Sequence, residues 1–380
     1  MLLEKLKKHN LNGVYPMHMP GHKRRSDMLP YGLPYDIDLT EIYDFDDLHN
    51  PDGILLDMEL LAAKLYGSKK AFSLVNGSTV GILSVIGAHT SRGDKILVAN
   101  QHHWSIDNAA ELFGLKPIYI SSEIHEPTGV QTSISPACVE KALLENPDIR
   151  LVVITSPSYE GVVSDIKGIA ETAHNRNIPL FVDSAHGAHL GFSKMFPKSA
   201  VQCGADIVVM SLHKTLPALT QCSLLHLCSS RANTDETKRL LSVLQTSSPS
   251  YVLMASIDSC LRLLDSDAEA LFKNYEKSLK KFSDNITDLK ALSVLCHGSS
   301  QKPDSFFDFD LGKLVVITKD TPLRGIAFGN YMRFDKNIEI ERSCDDYSIC
   351  MTSVCDTAEA LECFARILVE AGEAITRERL

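Results

Sequence analysis

The 380-residue chain lacks several features that would place it in a membrane, outside the cell or on nucleic acid. No apolar run approaches the roughly 20 residues that span a bilayer, and the charged, amphipathic opening differs from the apolar core of a secretory signal. The formal net charge of −10 argues against sequence-independent binding to nucleic acid. None of the 10 cysteines forms a Cys-x-x-Cys pair, so zinc-site spacing is absent. These absences predict a cytoplasmic globular protein with free thiols, and neither a membrane nor nucleic acid as a partner.

Between about residues 53 and 230, short apolar runs alternate with amphipathic stretches. Runs rich in Val, Ile and Leu are typical of strands that are covered on both faces, as in a mainly parallel sheet. The alternation predicts a doubly wound α/β domain, in which ligands bind outside the carboxyl ends of the strands. The predicted strands are Ala71–Val75, Ile96–Ala99, Pro117–Ile120, Leu151–Thr155, Leu180–Asp183, Ile207–Leu212 and Leu224–Leu227. The helices predicted between them are Thr79–Thr90, Ser105–Phe113, Ser135–Glu145 and Asp165–Asn175.

The sequence on either side of this α/β region predicts a different organisation. The first 50 residues have little periodicity, which predicts an extended arm after a short helix, and such an arm often packs on a partner subunit. A long helix is predicted near Val252–Leu289, followed by a second, smaller α/β domain. The predicted elements of this small domain are the strands Ser305–Asp310, Lys313–Thr318 and Ile338–Glu341 and the helix Thr357–Ala371. The predicted arm contains four prolines, Pro16, Pro20, Pro30 and Pro34. The predicted division is therefore an arm over 1–50, a large domain over 51–289 and a small C-terminal domain over 290–380.

An acid and a lysine follow two of the predicted strands. Asp183 ends one apolar run, and Lys214 follows another, beside Ser211 and His213. Pyridoxal phosphate needs a lysine amine for its Schiff base and a carboxylate that keeps its ring nitrogen protonated. The small side chain of Ala185 would let a flat ring approach the strand end. Taken alone, Lys214 could be an ordinary surface lysine and Asp183 an ordinary aspartate of a turn or helix cap. Together they favour a pyridoxal phosphate site.

Other polar residues follow the neighbouring strands. Gly77, Ser78 and Thr79 open a predicted helix, and backbone N–H groups with hydroxyls at that place suit a phosphate, although a simple helix cap has the same pattern. His103 follows another strand and could stack on a flat ring. His186 and His189 have the spacing of a metal pair, but no third ligand follows, so no metal is predicted.

Eight motifs in order along the chain resemble one known family, the fold-type-I, pyridoxal-phosphate-dependent ornithine/lysine/arginine decarboxylases in their shorter bacterial form. They are Met19-Pro-Gly-His-Lys23, Asp38-Leu-Thr-Glu41 with Asp47-Leu-His49, Asn76-Gly-Ser-Thr79, His103 to Ser105, Thr155-Ser-Pro-Ser-Tyr-Glu-Gly161, Asp183 to His189, Ser211-Leu-His-Lys-Thr215 and Thr246-Ser-Ser-Pro-Ser-Tyr251. The combination is specific although single motifs are not. The resemblance implies a transferase-like fold of the aspartate aminotransferase type, with a mainly parallel large-domain sheet and a small α/β C-terminal domain.

The resemblance also implies roles for individual residues. Lys214, His103 and His213 would be catalytic, and the first would carry the Schiff base. Asp183 would pair with the pyridinium and His103 would stack on the ring. The implied cofactor-binding residues are Gly77, Ser78, Thr79, His103, Asp183, Ala185, His186, Ser211, His213 and Lys214. The implied assembly is a homodimer or a larger homo-oligomer with active sites at the interface, to which the stretch from Ser248 to Tyr251 would contribute.

Three departures from the family pattern bear on function. Ser184 stands where the family usually has a small acid, and Trp104, the only tryptophan, stands where it has a lysine. The chain ends at Leu380, where the family usually continues into a further C-terminal domain. The leading expectation is decarboxylation of arginine, lysine or ornithine to an amine that is a polyamine or its precursor. The alternatives are transamination, with Arg324 or Arg333 available for a carboxylate, and a catalytically silent cofactor-binding partner of a full-length homologue.

Overall fold

The computed structural model describes residues 1–11, 16–20, 22–25, 27 and 32–377. Gly21 of the first family motif and Pro30 of the predicted arm lie outside these residues. The described part of the arm begins with helix Leu2–Leu11, whose Leu2 and Leu6 are buried. The backbone N–H of Leu2 donates to the buried carboxylate of Asp258 at 2.9 Å, which fixes this helix against the long helix Tyr251–Asn285. The rest of the described arm contains no further helix or strand.

Seven strands form the larger sheet. In order across the sheet they are Lys70–Leu74, Ser223–Leu227, Ile207–Ser211, Leu180–Asp183, Ile149–Thr155, Lys95–Ala99 and Lys116–Ile120. Ser223–Leu227 runs antiparallel to both of its neighbours, and the other pairings are parallel. All seven predicted strands are confirmed to within two residues at either end. The mainly parallel α/β class is therefore correct.

Helices cover both faces of this sheet. Successive side chains of a strand point to opposite faces, so neighbouring residues of one strand pack against different helices. Leu151 and Val153 face a core beneath the helices Gly77–His89, Ser105–Phe113 and Thr234–Leu244. Val152 and Ile154 face the other core, which is covered by the remaining helices of this layer. Those are Ile54–Tyr66, Pro136–Glu145, Ile166–His174 and Tyr251–Asn285. Burial on both faces explains why the strands are continuous apolar runs in the sequence.

A second, four-stranded sheet lies towards the end of the chain. Its order is Ser293–Val294, Lys313–Ile317, Tyr347–Met351 and Arg342–Ser343, and all its pairings are antiparallel. The helix Ala358–Thr376 packs against the long helix Tyr251–Asn285. The other short elements are a hairpin of Ile124–His125 with Val130–Gln131, the helix Ile326–Asn330, the π-helical turn Tyr331–Asp335, and Asp308–Phe309 paired with Val162–Val163.

The strand predicted at Ile338–Glu341 is wrong. The alternation of isoleucine and glutamate imitates a half-buried strand, but the N–H of Ile338 donates to the carbonyl of Met332 at 2.8 Å. The segment therefore closes the preceding π-helical turn, and the strand begins only at Arg342. The strand predicted at Ser305–Asp310 shrinks to Asp308–Phe309, which pairs with Val162–Val163 rather than with the second sheet.

A buried contact between a histidine and an aspartate joins the segment after strand Leu180–Asp183 to the segment before strand Lys313–Ile317. His189 Nε2 lies 3.0 Å from Asp310 Oδ1, and both side chains are at most 3% exposed. Burial opposes the charge of Asp310, but His189, through its charge and hydrogen bond, and Lys313 hold the pKa of this carboxyl below its usual value. The N–H of Asp310 also donates to the carbonyl of Gly161 at 2.8 Å. This aspartate therefore connects three segments.

Replacing Asp310 with alanine should lower the free energy of unfolding by about 3–5 kcal/mol, because it leaves His189 and the N–H of Gly312 without their buried partner. Urea-induced unfolding followed by circular dichroism would measure the change. Because the pKa of Asp310 is lowered on folding, the difference in the free energy of unfolding between the variant and the wild type should have its full size at neutral pH. The difference should shrink as the pH falls below about 4. The exposed Asp304 supplies the control, since Asp304→Ala should change stability by less than about 0.5 kcal/mol. Equal stabilities of the two variants would contradict this account.

Candidate active site

A cavity of about 690 Å³ opens at the carboxyl edge of the larger sheet. The structure brings all ten of the predicted cofactor-binding residues to its lining, three of which are also the predicted catalytic residues. They are Gly77, Ser78, Thr79, His103, Asp183, Ala185, His186, Ser211, His213 and Lys214. The parallel strands explain this convergence, because their carboxyl ends meet at one edge.

Lys214 lies on the one-turn helix Leu212–Thr215, directly after strand Ile207–Ser211. Its Nζ is 3.1 Å from His186 Nε2. Burial lowers the pKa of Lys214, although the charges of Asp183 and Glu341 oppose this. A lowered pKa increases the fraction of uncharged amine at neutral pH, which is the nucleophilic form of a lysine.

Asp183 is the last residue of its strand and is only 1% exposed. Its Oδ1 accepts a hydrogen bond from the N–H of Ala185 at 3.1 Å. Burial raises the pKa of Asp183, while the charge of Lys214 lowers it. A carboxylate that is buried beside a cavity is stabilised by a cationic group in that cavity. This site is therefore suited to a protonated nitrogen.

Hydroxyl groups meet where helix Gly77–His89 begins. Ser78 Oγ lies 2.7 Å from Ser211 Oγ and 3.4 Å from Ser223 Oγ. Gly77 has φ +71°, a conformation that favours glycine, and its N–H donates to the carbonyl of Gln221. The first-turn N–H groups of a helix lack intrahelical partners, so hydroxyls beside them form a donor set for a phosphate.

The hydrogen bonds of two histidines define their tautomers. The N–H of Ser105 donates to His103 Nδ1 at 3.3 Å, so a neutral His103 carries its proton on Nε2. His213 Nδ1 donates to the carbonyl of Cys222 at 3.0 Å, which leaves Nε2 as its acceptor. Burial lowers the pKa of both rings, and the charge of Lys214 contributes in each case. Both imidazoles are therefore neutral at neutral pH in the absence of a further charge.

Several lining residues were given no role in the sequence analysis. Thr155, Tyr159 and Glu160 belong to a family motif, which was their only signal, while Arg342 lies in the second sheet and gave none. Thr155 Oγ1 is buried, and none of the described residues forms a hydrogen bond with it. The two arginines suggested for transamination are elsewhere, since Arg324 pairs with Asp346 and Arg333 pairs with Glu339.

The possible metal pair is not brought together as a metal site. His186 contacts Lys214 and Lys313, whereas His189 contacts Asp310. Within the described part of the chain, no group of three or more His, Cys, Asp or Glu side chains has the arrangement of a metal site. Over the same residues, no helix is both long and apolar enough to cross a membrane.

The donor set fits pyridoxal phosphate. A phosphate matches the hydroxyls and N–H groups at Ser78, and a pyridinium matches the buried Asp183. Thr155, whose hydroxyl has no hydrogen-bond partner among the described residues, lines the same cavity. The mainly parallel sheet, with this lysine and aspartate at its carboxyl edge, defines a fold-type-I enzyme scaffold. Comparison with a family model is more specific, because that of the Orn/Lys/Arg decarboxylase major domain matches residues 2–297. The chain belongs to this family.

One relative in sequence agrees with this family assignment, and two solved structures agree with the fold. The arginine decarboxylase of Bacillus subtilis (strain 168) is 32% identical over 381 residues, a match that covers 98% of this chain and 77% of that protein. The lysine decarboxylase LdcF of Francisella novicida has a TM-score of 0.85 at 17% identity, with 99% of this chain and 60% of that chain covered. A structure of SPT with its PLP internal aldimine has a TM-score of 0.66 at 15% identity over 84% of this chain and 77% of that one. The chain therefore spans about three fifths of the length of the lysine decarboxylase structure.

Proposed function

We propose that this protein binds pyridoxal phosphate and decarboxylates a basic amino acid, arginine, lysine or ornithine, to the corresponding amine and CO₂. The observation that carries the proposal is the convergence of Lys214 and the buried Asp183 on one cavity that also has a phosphate donor set. Membership of the Orn/Lys/Arg decarboxylase family and the similarity to an arginine decarboxylase support the substrate class.

Each part of the cofactor has matching residues in this cavity. Ser78, Thr79, Ser211 and His213 would hold the phosphate, Asp183 the ring nitrogen, and His103 one face of the ring, while Ala185 leaves room at the strand end and Lys214 supplies the amine. When bound, pyridoxal phosphate supplies an electron-withdrawing ring that stabilises the negative charge left at Cα as CO₂ departs. A phosphate dianion beside His213 would favour a proton on its Nε2, the nitrogen not used by Cys222.

Lys214 is the better placed of the two candidate proton donors. His213 commits its Nδ1 proton to a backbone carbonyl, and a proton on its Nε2 would be held by the phosphate of the bound cofactor. The Nζ of Lys214 instead has a single described hydrogen-bond partner, His186. When it is not bound to the cofactor, the Lys214 amine could carry a proton to Cα.

Two further features support a cationic substrate and an oligomer. Two acidic side chains, those of Asp183 and Glu160, are among the described residues that line the cavity. The carboxylate of Glu160 accepts hydrogen bonds from the hydroxyls of Ser158 at 2.9 Å and Tyr347 at 2.8 Å. We propose that Glu160 attracts the cationic end of the substrate.

Trp104 lines the same cavity and is 61% exposed, which suits burial by a second subunit of a homodimer or larger homo-oligomer.

The direct test is CO₂ release by the protein loaded with pyridoxal phosphate, with arginine, lysine and ornithine offered separately. We expect release from at least one of them and none from alanine, which lacks a cationic side chain. The visible absorption band of the cofactor, recorded beforehand, establishes loading. A loaded protein that releases no CO₂ from any of the three would overturn the proposal. It would favour a silent cofactor-binding partner, or, if an oxo acid forms instead, a transaminase.

A further inference from the structure

Three nitrogen-bearing side chains form a continuous hydrogen-bonded row that begins in the lining of the cavity and ends at a residue outside it. Lys214 Nζ lies 3.1 Å from His186 Nε2, and on the other side of the ring His186 Nδ1 lies 2.8 Å from Lys313 Nζ. Lys313 belongs to the second sheet, is 1% exposed and is not among the residues lining the cavity. One imidazole therefore connects the lysine proposed to carry the cofactor to a second, buried lysine.

A neutral His186 ring has only one N–H group, and this limits how many of the two lysines can be charged. Burial and the charges of Lys313 and Lys214 hold the pKa of His186 well below its usual value, so its ring is neutral. A neutral imidazole has one N–H donor and one acceptor, and an ammonium group only donates. When both contacts are hydrogen bonds, one lysine therefore donates to the ring and the other accepts from it. The accepting lysine must be an uncharged amine.

The surroundings of Lys313 show that the fold accommodates this side chain closely. Its Nζ lies 5.7 Å from the centre of the Tyr159 ring, a cation–π distance. A Cβ at Gly161, where φ is +102°, would lie 2.7 Å from Lys313 Cγ, so a larger residue there would displace the lysine. Other charged or titratable groups face the row from several elements: Asp183, Glu160, Glu341, Asp310, His103, His189 and Arg342.

We propose that Lys313 is a positioning residue that shares one proton with Lys214 through His186. As Lys214 Nζ gives a proton to His186 Nε2, His186 Nδ1 gives its own proton to Lys313 Nζ. One N–H bond breaks and one forms on the ring, which stays neutral and changes tautomer. The reverse transfer returns the proton to Lys214. Burial lowers the pKa of Lys313 to about 8, within reach of neutral pH, although the charge of Asp310 opposes this change.

The shared proton gives Lys214 two states that its chemistry needs. As an uncharged amine it can attack a carbonyl, and with the proton restored it can act as an acid. This consequence for turnover rests on the proposed function. The sharing itself is a property of the cofactor-free chain and can be measured without any substrate.

The experiment measures how much of Lys214 is an uncharged amine. The full-length protein, freed of cofactor, is treated at pH 7.5 with trace acetic anhydride, which acetylates only uncharged amines. Mass spectrometry then compares acetylation at Lys214 with that at the exposed Lys116 in the same sample. In Lys313→Met nothing competes with Lys214 for the proton, so we expect acetylation about tenfold slower, equivalent to a rise of about one pKa unit.

The charge-conserving variant distinguishes proton sharing from packing. Lys313→Arg keeps a permanent charge beside His186, so acetylation of Lys214 should be at least as fast as in the wild type. Lys313→Gln is a second uncharged variant, expected to behave like Lys313→Met, and it serves if the latter does not fold. Equal slowing by Met and Arg, or no slowing by Met and Gln, would overturn the proposal. Because this readout needs no turnover, a protein that releases no CO₂ can still show proton sharing.

Discussion

Replacing Lys214 with alanine is expected to lower the rate of decarboxylation by at least about 10³-fold, because the variant loses both the amine that would bind the cofactor and the proposed proton donor. The phosphate donor set at Ser78 and Ser211 is unchanged, so pyridoxal phosphate should still bind, but reversibly. Borohydride reduction followed by mass spectrometry of peptides would measure this difference. The wild type should retain the cofactor covalently on Lys214, and the variant should release it on dialysis.

The control for this prediction is Lys116→Ala, which removes an exposed lysine from the edge strand of the same sheet. It should leave both CO₂ release and trapping unchanged. The location of the trapped cofactor is also informative, because Lys313 is a second lysine in contact with His186. Cofactor trapped on Lys313, or undiminished turnover in Lys214→Ala, would contradict the role given to Lys214.

Replacing Asp183 with asparagine should have the second largest effect, a loss of turnover of about 10²–10³-fold, by comparison with the removal of one preorganised electrostatic partner elsewhere. The amide has nearly the same size but carries no charge, so it no longer favours a proton on the ring nitrogen. CO₂ release at saturating cofactor would measure this loss. A variant within threefold of the wild type would remove Asp183 from the proposed mechanism.

The same substitution should have the opposite effect on stability. Burial raises the pKa of Asp183, and a carboxyl whose pKa is raised on folding destabilises the folded state once the pH exceeds the pKa of the unfolded chain. The cofactor-free Asp183→Asn protein should therefore unfold at the same or a higher temperature at pH 7. Its matched control is Asp206→Asn. Asp206 lies directly before strand Ile207–Ser211, is fully buried, contacts His174 at 2.7 Å and accepts from the N–H of Leu180 at 2.8 Å. That variant should lower the unfolding temperature.

Much of the fold could be predicted because it depends on local sequence. Strands buried on both faces must be apolar throughout, and the chemistry-bearing residues follow those strands directly, as with Asp183 and Lys214. The seven strand positions were accessible for that reason. Ten of the residues that line the cavity were also accessible, some of them, such as His186, only through the resemblance to the family. The roles of these residues stay predictions until the experiments above are made.

The remaining features depend on contacts between distant segments. Lys313 stands 99 positions beyond Lys214 in an apolar strand, and only the approach of the second sheet brings it to His186. Arg342 reaches the cavity in the same way. At Ile338–Glu341 the local pattern favours a strand, but the hydrogen bond from Ile338 to the preceding π-helical turn prevails. Tertiary contacts override local preference at such places.

The order of strands in the larger sheet bears on how the cavity is assembled during folding. Lys70 pairs with Leu227, 157 residues later in the chain, and this pairing brings Ser78 to Ser223 and Ser211. Pairings between such distant segments require closure of a long loop, and they form slowly. A partly synthesised chain that ends before strand Ser223–Leu227 contains Lys214 and Asp183 but not the partner strand of Lys70–Leu74. The proposed phosphate donor set is thus complete only when strand Ser223–Leu227 has joined the sheet, so on the proposed function we expect cofactor uptake to report completion of the sheet.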